Sequence, residues 1–139
     1  MTPKQLVFQS AAESIIKNLE KRNMEGYFFE TGAECVKAIT DLIEEDSQIS
    51  WGGSESIKEC GLLDALKKGN YTLIDRLTAK SPEESRELYV KAALSDYYLM
   101  STNAITMDGE LINIDGNGNR VACLIHGPKH IIIVAGMNK

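Results

Sequence analysis

Cysteine, histidine, proline and tryptophan are all scarce, with three, two, three and one copies in 139 residues. The cysteines, Cys35, Cys60 and Cys123, stand far apart, with no Cys-x-x-Cys pair and no Cys/His cluster. That spacing excludes a zinc finger or an iron–sulfur centre and suits small buried thiols in a reducing compartment. His126 and His130 flank Gly127-Pro128-Lys129 with no acidic neighbour in sequence, so neither a metal site nor a Ser/His/Asp arrangement is expected. No apolar run approaches the roughly 20 residues needed to cross a bilayer. The amphipathic opening "MTPKQLVFQSAAESIIKNLEKRN" lacks the apolar core of a signal peptide, and a cytoplasmic, membrane-free protein is expected. Basic residues are outnumbered, 15 against 20 acidic, and scattered along the chain, which argues against a nucleic-acid partner.

Hydrophobic residues make up 43% of the chain, and its length fits one domain over residues 1–139. Helical and strand periods alternate from end to end. Leu6, Ala12, Ile15, Ile16 and Leu19 predict a first helix stopped near Asn23 and Gly26, followed by a short strand in "GYFFET". Thr31 caps a second helix, "QISW" is a strand, and Ile57, Cys60, Leu63 and Leu66 mark one further helix. "YTLIDRL" reads as a strand. Ser81, Pro82 and Glu84 announce a helix running to about Ser95, and "DYYLMST" a strand after it. "NRVACLIHG" predicts a short helix, and the wholly apolar "HIIIVAG" a strand in the middle of a sheet covered on both faces. Such alternation predicts an α/β sandwich, a mostly parallel sheet between helices.

Two stretches carry candidate chemistry. "ISWGGSESIKE" sets Gly52, Gly53 and Ser54 between a strand and a helix, where backbone amides and hydroxyls can either make a tight turn or receive an anion. The spacing fits neither a Walker loop nor a dinucleotide fingerprint. "NAITMDGELINIDGNGNR" holds Asp108-Gly109 between two β-rich runs, the pattern of a hairpin with a two-residue turn. Parity along its second strand puts Glu110, Ile112 and Ile114 on one face and Leu111, Asn113 and Asp115 on the other. Arg120 then falls in the first turn of a helix, where the helix dipole disfavours a cation. It needs a partner, either Asp115 or an anionic ligand.

These stretches, with "VACLIHGPKHIIIVAGMNK", closely resemble the LUD (lactate-utilisation) domain family over nearly the whole chain. Its members include the C subunit of bacterial lactate-utilisation systems. The resemblance implies the Rossmann-like, three-layer fold of the sugar-phosphate isomerases, glucosamine-6-phosphate deaminases and CoA transferases. Family members usually continue beyond the Gly-x-Asn-Lys ending, so this chain is expected to be short at its C-terminus. The iron–sulfur cysteines of the sister subunit are missing, and no cofactor is expected in the chain itself.

The resemblance implies an accessory protein binding an anionic small molecule, a sugar phosphate, a CoA-like compound or a carboxylate. Gly52, Gly53 and Ser54 would hold the anion, with Asn103, Asp108, Asn113, Asp115, Asn117, Asn119 and Arg120 lining the cleft. An alternative is an enzyme using Asp108 or Glu110. In the deaminases the motif Asp-Gly-His-Ile-Ala-Phe-Asn-Glu moves protons, and "DGELINID" repeats its outer acids as Asp108 and Asp115, with Glu110 where the motif has His. CoA transferases use a Glu nucleophile, for which Glu110 is the candidate. A further alternative is a subunit that docks iron–sulfur lactate-oxidation partners or pairs as a homodimer.

Overall fold

A computed structural model of the chain describes residues 2–53 and 55–137. The order is α1 (Pro3–Glu20), α2 (Gly32–Leu42), β1 (Gln48–Trp51), α3 (Glu55–Glu59), α4 (Leu62–Lys68) and β2 (Thr72–Ile74). A 3-10 turn (Arg76–Thr78) leads to α5 (Pro82–Ala93), β3 (Tyr97–Met100), β4 (Ala104–Ile105), β5 (Leu111–Ile112), α6 (Asn119–Ile125) and β6 (His130–Ile133). The main sheet has four parallel strands in the order β2-β1-β3-β6, and β4 and β5 pair separately as an antiparallel hairpin.

Strand parity builds the two layers. Ile49, Tyr97 and Leu99 join Ile39 and Ile43 from α2 and its end, Ile57 from α3, and Leu62 and Leu66 from α4 in one core. Tyr98 and Met100 point the other way, onto Cys123 of α6, with Ile131 and Ile133 beside them. All four residues of β3 are buried, as a strand covered on both faces requires. Ser50 of β1 donates its hydroxyl to the Ile74 carbonyl of β2 at 3.0 Å, so this fully buried polar group is satisfied.

The helix ends follow the sequence signals. Thr2, Thr31 and Ser81 each accept a backbone N–H of their own first turn, from Gln5, Glu34 and Glu84. Asn23 takes a left-handed conformation, φ 62°, and ends α1 with the Met24 amide on the Leu19 carbonyl.

Several expectations are corrected. "GYFFET" forms no strand: Tyr27 is exposed, Gly26 packs on Ile16 of α1, and the segment pairs with no strand among the described residues. The single helix expected over Ile57–Leu66 is split, because Gly61 adopts φ 81° and restarts the chain as α4. "YTLIDRL" gives only β2 before Asp75 caps the 3-10 turn through the Leu77 amide. The apolar "HIIIVAG" is an edge strand, not a central one. Its apolar run answers to cover on both faces, since Ile132 joins one core and Ile131 and Ile133 the other.

The hairpin turn is also longer than two residues. Thr106 and Glu110 pair through the Thr106 amide, the Gly109 amide returns to the Thr106 carbonyl, and the loop is Met107-Asp108-Gly109. Only Gly109 has positive φ, 82°, whereas a two-residue turn of that type needs it at both central positions. The result is a turn closed by a glycine bulge.

Candidate functional site

The chain runs from β1 outward to β2, then crosses back to β3 on the other side of β1 before continuing to β6. Such a reversal makes the C-terminal ends of β1 and β3 the place where open parallel sheets bind ligands. Gly52 leaves β1 there, its amide bonded to the Leu99 carbonyl at 2.9 Å. A Cβ on Gly52 would stand 3.0 Å from the Tyr98 hydroxyl and 3.6 Å from the Arg120 side chain. The two stretches singled out in sequence therefore meet at this point. Gly53 is exposed and open to added bulk, while Ser54 lies outside the described residues.

Arg120 is tied down on several sides. Its Nε donates to Asp115 Oδ1 at 2.9 Å, and its Nη2 donates to Asn103 Oδ1 and to the Ile114 carbonyl. Nη1 reaches the Ser101 carbonyl at 3.4 Å. Asp115 uses its second oxygen to accept the Val121 amide at 2.7 Å, so one carboxylate holds both the arginine and the first turn of α6. The pair is only 12% and 9% exposed on its side chains. Of the two partners open to Arg120 in sequence, the structure supplies Asp115.

The strand parity holds. Glu110, Ile112 and Ile114 are exposed, while Leu111, Asn113 and Asp115 are turned inward. Among the described residues, Asn113 Oδ1 and Ser101 Oγ are buried without a hydrogen-bond partner. Both belong to segments that Arg120 holds, Ser101 through its own carbonyl and Asn113 through the neighbouring Ile114 carbonyl. Tyr98 lies beneath, and burial pushes its phenol up to about 12, with Arg76 and Arg120 pulling down and Cys123 and Asp115 pushing up. Burial also raises the thiol of Cys123.

The remaining candidates fall elsewhere. Asp108 is exposed at the hairpin tip, which docks on α1: Asn18 Nδ2 donates to the Met107 carbonyl at 2.8 Å and Arg22 to the Asp108 carbonyl at 3.4 Å. Glu110, also exposed, accepts from the Thr106 hydroxyl at 3.2 Å. Among the described residues, no hydrogen bond or ion pair joins either carboxylate to Arg120 or Asp115.

Asn117 and Asn119 line a second opening with Pro82, Ser85, Arg86 and Tyr89 of α5, a cleft of about 430 Å³. Arg76 stacks on Tyr89, its guanidinium carbon 4.8 Å from the ring centre. Sequence reading missed Arg76, Arg86 and Tyr89. The only signal was their place, just after β2 and at i, i+3 spacing on α5.

A family model described as the LUD domain matches residues 12–139. The chain belongs to the LUD-domain family. Neither the curated proteins nor the solved structures supply a match. The LUD match spans both the Gly52 turn and the hairpin-to-α6 stretch, and the family points to a function related to lactate utilisation. Among the described residues, no group of three His, Cys, Asp or Glu is placed to hold a metal ion, and no helix is long and apolar enough to cross a membrane.

Proposed function

We propose that this LUD-domain chain is a lactate-utilisation-type accessory protein that binds an anionic small molecule in the crevice between β1 and β3. The observation that carries the reading is the pair of buried, unpartnered polar atoms, Ser101 Oγ and Asn113 Oδ1, beside the Arg120 clamp. Buried polar groups are nearly always hydrogen-bonded, so two orphans at a sheet's switch point mark where a ligand completes the network. Ser101 offers a hydroxyl donor, and the Asn113 amide offers both a donor and an acceptor. Gly52 is required by close approach, since a Cβ there would press on the Tyr98 hydroxyl at 3.0 Å. Arg120 acts through position: with four of its five N–H donors on protein acceptors, it fixes the wall and does not serve as the first anion ligand.

The test is thermal unfolding with L-lactate, inorganic phosphate and coenzyme A at millimolar concentrations. One of them is expected to raise the melting temperature, since a ligand bound only by the folded state stabilises by mass action. Gly52→Val should abolish the shift, and Ser101→Ala should reduce it. No shift with any of the three, or one unaffected by Gly52→Val, would remove the reading.

A further inference from the structure

The cleft beside α5 is lined by one cation and several neutral polar groups. Ser85, Arg86, Tyr89, Asn117 and Asn119 all present donors, Pro82 completes the wall, and no carboxylate lines it. Residues 82, 85, 86 and 89 share one face of α5, which leaves Glu83, Glu84 and Glu87 on its other faces. The cleft at the opposite end of the sheet differs, with Glu44, Glu45, Asp46 and Asp96 beside Lys129 and His130. In a chain of net charge −5, a lining that pairs a cation with neutral donors and holds no carboxylate favours an anion.

Two guanidinium groups supply the charge. Arg86 is exposed at the cleft, and Arg76 lies against Tyr89 with its Nε buried and unpartnered. Among the described residues, neither forms an ion pair. Two unneutralised cations match a dianion better than a single carboxylate, and guanidinium forks fit phosphate oxygens two at a time. The opening of about 430 Å³ lies within the range of small-molecule pockets, so it holds more than a bare phosphate.

We infer that the cleft between α5 and residues 117–119 seats the phosphate of a small phosphate monoester, a polyol or sugar phosphate. Arg86, Ser85 and Asn119 donate directly, and Arg76 supplies charge from behind the Tyr89 ring. The inference rests on reading this end of the sheet as the ligand-binding end. It adds the chemical class of the ligand and the residues that take its charged group. Both walls come from connections leaving the C-terminal ends of β2 and β3, so the cleft and the β1/β3 crevice lie at the same end.

Isothermal titration of the full chain with glycerol 3-phosphate, against glycerol and L-lactate, tests it. Glycerol 3-phosphate should bind and glycerol should not. Arg86→Ala should weaken binding at least about tenfold, as loss of a charge-assisted hydrogen bond does, and Arg86→Lys should restore part of it. The side-chain amide signals of Asn117 and Asn119 should shift on titration. Arg86 is exposed, so its variants test binding and not folding. Phosphate binding indifferent to Arg86→Ala but lost in Gly52→Val would overturn this inference and leave the crevice reading standing. L-lactate binding without phosphate binding would do the same. Binding that is lost in Arg86→Ala and survives Gly52→Val would support the phosphate seat while counting against the crevice.

Discussion

Two arginine sites stand at the same end of the sheet, one holding Arg120 and the other Arg76 and Arg86, and they are built in opposite ways. Arg120 spends its donors on Asp115, Asn103 and two backbone carbonyls, while Arg76 and Arg86 have no anionic partner among the described residues. The first is a rivet joining the hairpin, the end of β3 and the start of α6. The second is positive charge left uncompensated beside an opening. Arg120 was conspicuous in sequence because a cation is misplaced in a first helical turn, yet its conspicuousness signals an internal partner. The arginines with charge to offer looked ordinary.

The largest effect should come from breaking the rivet. Asp115→Ala removes both the partner of a mostly buried guanidinium and the acceptor of the Val121 amide. A loss of about 3–5 kcal/mol is expected, the range for stripping one member from a buried pair, read from urea denaturation.

The next prediction concerns Tyr98, which the rivet covers. Its folded-state value of about 12 lies above the ordinary 10.0, so the neutral phenol is favoured by folding. Stability from this group is complete below pH 10.0 and drains away as pH rises toward about 12. The loss should reach about 2–3 kcal/mol at the top of that window. Denaturant titrations of the wild type and Tyr98→Phe should diverge there, and parallel curves would contradict the assignment.

The smallest effect sharpens the contrast. Arg86→Ala touches no internal partner and should change stability by less than about 0.5 kcal/mol, as surface substitutions do. A large loss would make Arg86 a second rivet.

What the sequence made legible was set by local rules. Caps at Thr31 and Ser81, the apolar run of β3 and the inward parity of Leu111, Asn113 and Asp115 depend on near neighbours, and each reappears in the structure. "GYFFET" failed because a strand needs a partner, which propensity does not supply. The split at Gly61 was hidden because one glycine within a helical period is tolerated as often as it breaks it. At the site, the meeting of Gly52 with Arg120 follows from both stretches leaving neighbouring parallel strands. The cleft beside α5 was invisible because its walls, residues 82–89 and 117–119, come together only through tertiary packing.

The hairpin tip also bears on the order of assembly. The bond from Asn18 to the Met107 carbonyl closes an interval of 89 residues, and Gly109 lets the tip lie directly on the α1 backbone. During vectorial synthesis α1 emerges long before this clasp exists. Its docking waits for the hairpin and carries the loop-closure cost of a distant contact. Helix α1 is thus among the last of these elements to be fixed in place, and it should be the first of them to exchange its amides when the fold loosens.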